Sequence, residues 1–203
     1  MNYLLEHPAK VLGLAGDHAA LVAAALVVAL AIALPLGIYA ARRPRVATLL
    51  LGVLGVIYTI PSLALLAVLV RWLGIGFASI FVALIAYAQF MLARNIVAGI
   101  NGVDRAQVDA ARGLGMSHAQ VLLRVELPQA LPVMLGGVRV AAIAMIAIAT
   151  LAGYVGGGGL GVLIFTGLAL NNNAMIVAGS IAASLLAIAV DASLRVVEKF
   201  ARR

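Results

Sequence analysis

Four stretches of the chain carry no formal charge: residues 19–41, 46–70, 72–93 and 140–190, of 23, 25, 22 and 51 residues. A helix needs about 20 residues to cross a hydrocarbon core of about 30 Å, so each of the first three fits one crossing. The fourth is long enough for two. Its middle holds Gly153, Gly156 to Gly159, Gly161, Gly167 and Asn171 to Asn173. Glycine weakens a helix and asparagine is costly in lipid, so that middle predicts a non-helical or re-entrant connection. The pattern therefore predicts an all-α, polytopic membrane protein. Its five spanning helices fall near 19–41, 46–71, 73–95, 131–152 and 174–194.

The first run is too long for a secretory h-region of about 7–15 residues, and Arg42, Arg43 and Arg45 stand where a cleavage site would be. It reads as a retained helix. Composition agrees: 65% of residues are apolar and 10% charged, against about 45–50% and about 25% in soluble domains. That excludes a soluble enzyme. With no cysteine there is neither a disulfide framework nor a thiolate metal site.

The net charge of +7 matters less than its placement. Five spans put Arg42, Arg43, Arg45, Arg94, Arg105, Arg112, Arg124, Arg139, Arg195, Lys199, Arg202 and Arg203 on one side and leave Lys10 and Arg71 on the other. By the positive-inside rule the first side is cytoplasmic, so the N-terminus is expected outside and the C-terminus in the cytoplasm. The basic tail then sets orientation, and no nucleic-acid partner is expected. Asp191 with Arg195, and Glu198 with Arg202, are i,i+4 pairs expected at the solvated end of the last helix. Arg71 beside Trp72 suits an interfacial anchor.

One segment, residues 101–132, is polar. Asp104 suits the cap of a short helix with Val108, Ala111 and Leu114 at helical spacing, ended by Gly113 and Gly115. Ser117 and Gln120 form a capping-box pattern for a second short helix through Val121, Leu122 and Val125. Pro128 and Pro132 then set the start of the next membrane helix. Helix, glycine turn and helix would lie on the cytoplasmic face, either as an interfacial connector or as a docking knob for another protein.

The spacing of Asp109-Ala110-Ala111, Gly115, Val125 and Leu127-Pro128 resembles the cytoplasmic "EAA" signature of ABC importer permeases. Asp109 replaces the usual Glu and Val125 the usual Ile. Tyr58-Thr59-Ile60-Pro61-Ser62, Ala149-Thr150-Leu151-Ala152 and Gly156 to Gly161 with Ile164-Phe165 resemble the branch that imports the osmoprotectants glycine betaine, choline and carnitine. The resemblance implies one permease domain over 1–203 in a prokaryotic plasma (inner) membrane, with 101–132 as its coupling segment. It implies a second permease subunit, identical or related, two cytoplasmic ATPase subunits and an external binding protein. ATP and magnesium would belong to the ATPases. This chain, which has no Gly-x-x-x-x-Gly-Lys-Ser/Thr loop, would be no enzyme and hold no cofactor or metal. Asp109, Ala110, Ala111, Gly115, Met116, Ser117, Leu127 and Pro128 would dock the ATPase, with Gly115 permitting close approach.

Polar groups within the spans are candidates for the translocation path: Tyr58, Thr59, Pro61, Ser62, Tyr87, Gln89 and Thr150. Pro61 should kink the second helix, and the faces of Tyr58 and Tyr87 could meet a quaternary cation. The same residues have structural uses: Ser and Thr bond their own helix, Gln a neighbouring helix, and Tyr packs. Ala23 to Ala25, Gly52 with Gly55, and Ala141, Ala142 and Ala144 suit close helix packing. Gly156 to Gly161 reads as flexible backbone at the outer mouth. The alternatives are a permease for another small solute, such as an amino acid, and a scaffold subunit that transports nothing. A secondary transporter would show internal repeats and intramembrane acids, and neither is visible.

Overall fold

The computed structural model describes residues 2–201; the expected Glu198–Arg202 pair and the charge of Arg203 lie outside the described residues. The helices are α1 (Asn2–Glu6), α2 (Pro8–Ala41), α3 (Pro44–Thr59), α4 (Ser62–Leu73), α5 (Phe77–Asn101), α6 (Arg105–Gly113), α7 (His118–Val121), α8 (Leu127–Ala149), α9 (Gly161–Ala169) and α10 (Asn173–Ala201). A π turn, Leu122–Glu126, joins α7 to α8, and a 3-10 segment, Thr150–Val155, comes after α8. Among the described residues no strand occurs. Four stretches are long and apolar enough to cross a membrane: Pro8–Ala41, Phe77–Asn101, His118–Val155 and Asn173–Ala201. The pair α3–α4 qualifies only when both its helices are taken together.

That pair corrects the expected second span. Instead of one kinked helix, α3 and α4 meet at 93°. Proline has no N–H for a helix bond and drives the residue before it into extended backbone. Ile60 accordingly has φ −65° and ψ 129° and ends α3. At about 1.5 Å per residue, the 16 residues of α3 reach about 24 Å, short of a bilayer core. Both helices pack against α5.

Helix directions follow from three contacts. Gln89 of α5 bonds Ala29 of α2, and Gly37 of α2 abuts Ile96 of α5, so α2 and α5 run parallel. The chain must therefore be carried back between them by α3–α4. His18 bonds Ile146 while Arg42 bonds Glu126, so α8 runs antiparallel to α2. The bundle thus has an arginine-rich end near Arg42 and a glycine-rich end near Gly156.

Packing is carried by small residues. Ala25, Ala29 and Ala33 have no exposed surface and share one face of α2 with the buried Gly37, at intervals of four. A Cβ on Gly37 would fall 2.6 Å from Ile96 Cγ2, so α2 and α5 touch where any side chain would separate them. Of the small residues marked in the sequence, Ala25, Ala141 and Ala142 are buried, while Ala23, Ala24 and Gly52 are exposed. Large apolar side chains point outward instead, among them Leu49, Val56 and Ile188, as they would toward lipid.

Two expectations at element ends need correction. α2 starts at Pro8, not near 19, so Lys10, Asp17 and His18 lie inside it. Proline is well placed in a first turn, where its missing N–H breaks no bond. The stretch 118–155 is one continuous helix, not a short cytoplasmic helix and then a separate span from 131. Its π turn sits immediately before Leu127-Pro128, and Leu127 N–H bonds Leu122 O five residues back. That wider turn accommodates Pro128 without ending the helix.

The glycine-rich middle contains a tight crossing. A Cβ on Gly161 would overlap the Thr150 carbonyl oxygen, and one on Gly153 would overlap the Gly161 backbone. The 3-10 segment and α9 therefore touch backbone to backbone. The expected non-helical or re-entrant connection contains the short helix α9, packed on α10. Asn172 then caps α10, its Oδ1 accepting from Met175 N–H at 3.2 Å.

Candidate functional site

At the arginine-rich end, α6 and α7 form the expected helix, glycine turn and helix. Asp104 caps α6, its Oδ1 accepting from Ala106 N–H at 2.9 Å. The C-terminus closes as a Schellman motif: Gly115 N–H donates to Arg112 O at 2.9 Å and Met116 N–H to Ala111 O at 3.2 Å. That motif needs a left-handed residue, and Gly115 has φ +83°. A Cβ there would meet nothing within 4 Å. The backbone conformation is by itself a reason for glycine at this position. Ser117 and Gln120 complete the capping box at 2.8 and 3.3 Å.

Both ends of α6 and the start of α7 are thus held by local bonds, which stiffens a small protrusion. Asp109, Ala110, Gly115, Ser117 and Pro128 are exposed on it, Met116 and Leu127 are half-buried, and Ala111 is buried. Ala111 thus fills the element's own interior. Leu114, which shares helical spacing with Val108 and Ala111, is 81% exposed at the turn. It caps α6, beyond the last residue that obeys the helical period. Its position between two helix-breaking glycines is the signal that would have placed it outward. Asp109 and Arg112 approach to 3.8 Å, but both are open to solvent and the pair contributes little.

Glu126 is not singled out by the sequence, and Arg42 reads there only as an end-of-helix charge. The Glu126 side chain, at the end of the π turn, is 5% exposed, and Arg42 comes directly after the last residue of α2. The guanidinium grips the carboxylate through both nitrogens: Nη1 donates to Oε1 at 2.8 Å and Nη2 to Oε2. Beside them a cavity of about 550 Å³ is bordered by Ile100, Val108, Asp109 and Arg112.

The residues proposed for the path fall into separate places. Tyr58 stacks on Phe90, with ring centroids 5.3 Å apart, and meets Tyr87 edge-on at 6.0 Å. Tyr87 O–H donates to Ile60 O at the α3–α4 break. Thr59 Oγ1 donates to Val56 O at 2.7 Å, and Ile60 N–H takes the Ile57 carbonyl that Pro61 cannot serve. The break is thus satisfied by its own residues and by α5. Ser62 opens α4 directly after Pro61. Phe90 was missed by the sequence reading, since an aromatic within an apolar run carries no separate signal.

Gln89, two residues from Tyr87, faces the other way and donates to Ala29 O at 3.1 Å. Thr150 lies at the glycine-rich end and donates to Ala147 O at 2.7 Å. Gln89 and Thr150 therefore show the structural uses weighed for them, and the aromatic trio forms a cluster without them. Among the described residues no group of three or more His, Cys, Asp or Glu could hold a metal.

The i,i+4 pair of Asp191 and Arg195 is present at 2.7 Å, with Arg195 exposed as expected and Asp191 half-buried. Arg139 of α8 reaches Asp191 at 3.1 Å and Glu198 at 2.8 Å, and their side chains are 19% and 11% exposed. Asp191 and Glu198 are thus turned onto α8, while Arg195 between them stays open to solvent.

Residues 33–203 match the family of binding-protein-dependent transport system inner membrane components. The chain is 39% identical over 178 residues to the carnitine transport permease protein OpuCB of Listeria monocytogenes, covering 88% of this chain and 82% of that one. It is 38% identical to the choline transport system permease protein OpuBB of Bacillus subtilis, covering 90% and 84%. It is 34% identical to the osmoprotectant import permease protein OsmW of Salmonella typhimurium, covering 94% and 91%. A structure of the MetNI methionine ABC transporter in an inward-facing conformation overlays with TM-score 0.80 at 19% identity, covering 92% and 94%. One of an amino acid ABC transporter with histidines overlays at 0.76 and 20%, covering 97% and 96%. The helical bundle, its protruding cytoplasmic-type signature and these matches agree: the chain belongs to the family of binding-protein-dependent inner membrane transport components, the permease subunits of ABC importers.

Proposed function

We propose that this permease imports a quaternary-amine osmoprotectant such as glycine betaine, choline or carnitine. The observation that carries the reading is the identity of 38–39% across about nine tenths of the chain to permeases named for carnitine and choline transport. The Tyr58–Tyr87–Phe90 cluster is compatible with it, since aromatic faces attract a quaternary cation that cannot donate a hydrogen bond. Uptake of radiolabelled choline, carnitine and glycine betaine in proteoliposomes holding the assembled importer and its binding protein tests the assignment. Saturable, ATP-dependent uptake of at least one amine is expected. Uptake of an amino acid with none of the amines would overturn it.

The membrane arrangement belongs to the same proposal. The chain makes five crossings, with α3–α4 as one broken passage between the parallel α2 and α5. The arginine-rich end is cytoplasmic, placing the N-terminus outside and the C-terminus inside. Two ATPase subunits grip the α6–α7 protrusions of two permease subunits, identical or related, and hydrolysis takes place in those ATPases. An external binding protein delivers solute to the glycine-rich end. Because α7 continues through the π turn into α8, a displacement of the docked tip is a displacement of one 38-residue helix. A stiff lever of this kind moves as a body between two packings of the bundle.

A further inference from the structure

The cytoplasmic protrusion has one covalent route into the bundle at each end, through Gly102–Val103 into α5 and through the π turn into α8. A third route is non-covalent. α6 packs chiefly on α7 and on the π turn, and the last residue of that turn, Glu126, reaches across 84 positions to Arg42. Arg42 begins the two-residue turn between α2 and α3, since Pro44 starts the next helix. A cavity of about 550 Å³ lies between α6 and the ends of α2 and α5. Where side chains do not fill the space, the ion pair connects.

The pair is built for holding. A buried carboxylate is costly unless it is paired, and Glu126 has only 5% of its side chain exposed. The two-pronged grip of a guanidinium fixes direction as well as distance, which a lysine cannot do. Arg42 also stands at the C-terminus of α2, where a cation is favoured by the helix dipole. The π turn sets the aim. One extra residue rotates the rest of the helix by about 100°, so without it Glu126 would point away from α2.

We propose that Arg42 and Glu126 are positioning residues that act as a coupling strut. Through them a displacement of the α6–α7 protrusion is delivered to the α2–α3 turn as well as to α8. The strut makes the parallel helices of the bundle respond together with the lever. This rests on the importer reading above, and its consequence is specific. Loss of the strut leaves ATPase docking intact, because the exposed tip is untouched, but lowers the solute moved per ATP hydrolysed.

The test uses the complete importer, reconstituted with its ATPase and binding protein. Glu126→Gln, Arg42→Lys and the exchange Arg42→Glu with Glu126→Arg are compared with the unaltered protein. ATPase co-purification is normalised to permease, and hydrolysis and uptake to assembled complex. Glu126→Gln is expected to co-purify normally while uptake per ATP falls about ten-fold, within the range of about 5–150-fold that couplings between sites carry. Arg42→Lys, which keeps the charge but loses the fork, is expected to lie between the two, and the exchange to recover more than half of the loss. Unchanged uptake per ATP in Glu126→Gln, or an equal fall in co-purification and uptake, would overturn the strut. Absence of any ATPase from the unaltered complex would instead overturn the importer reading.

Discussion

His18 of α2 and Leu160, which immediately precedes α9, are joined across 142 positions of sequence, with the Leu160 N–H donating to His18 Nδ1 at 3.3 Å. The other ring nitrogen, Nε2, donates to Ile146 O at 3.1 Å, and the imidazole has no exposed surface. One side chain thus ties α2, α8 and the glycine-rich segment together. His18→Ala removes both partners and leaves an N–H and a carbonyl buried, at about 1–3 kcal/mol each. A lowered midpoint of thermal unfolding in detergent is expected, with His18→Gln falling less because an amide can restore one bond. An unchanged midpoint in His18→Ala would show that the tie carries no stability.

The protrusion yields a second prediction. Substituting Gly115 confounds docking with backbone strain, since its left-handed conformation costs a side chain about 1–2 kcal/mol whatever lies outside. Ala110 is exposed on a regular helix, where a large residue fits without disturbing the fold. Ala110→Trp is therefore expected to insert and melt normally while losing ATPase co-purification. Gly115→Ala is expected to show a small drop in stability and to retain the ATPase. Retained ATPase in Ala110→Trp would place the contact elsewhere.

These cases show what the sequence makes legible. Local rules were enough for the caps, the glycine turn and the capping box, because Asp104, Gly115, Ser117 and Gln120 act within a few positions of themselves. Charge-free length was enough to find the apolar stretches. What the sequence hid were ties of long separation between charged or buried partners: His18 to Leu160, Arg42 to Glu126, Arg139 to Glu198. A charge beside an apolar run reads as a boundary, so Asp17 and His18 read as preceding the first helix although they lie within it. A proline reads as a kink, whereas the helices meet at 93° with Tyr87 of α5 donating to the Ile60 carbonyl at the break.

Arg139 supplies a third prediction. It stands between Asp191 and Glu198, all three with under a third of the side chain exposed. Removing the shared cation breaks two ion pairs at once. Asp191 keeps Arg195, whereas the largely buried Glu198 loses this pair, and breaking a buried pair costs up to about 3–5 kcal/mol. Arg139→Leu is expected to reduce yield and thermal midpoint more than Asp191→Asn, because in the latter Arg139 keeps Glu198. Measured melting curves of the two variants decide the order. Equal losses would mean that Asp191 alone holds α10 against α8.

Tyr58 and Tyr87 share one aromatic cluster but are expected to fail differently. Tyr87 O–H serves the Ile60 carbonyl at the helix break, so Tyr87→Phe removes one hydrogen bond and leaves the ring in place. The bond contributes about 0.5–1.5 kcal/mol. A lower thermal midpoint with an unchanged half-saturating amine concentration is therefore expected. Tyr58 is 36% exposed and stacks on Phe90. Its ring offers a face, so Tyr58→Leu is expected to keep the fold and to lower the rate of choline uptake. Cation–π attraction at a partly exposed site is about 0.5–1 kcal/mol, which corresponds to a fall of about two- to five-fold. An uncharged isostere of choline offered to both proteins separates cation binding from packing: the difference between Tyr58 and Leu should vanish with it. If the isostere and choline are affected alike, the aromatic face acts in packing and the solute passes elsewhere.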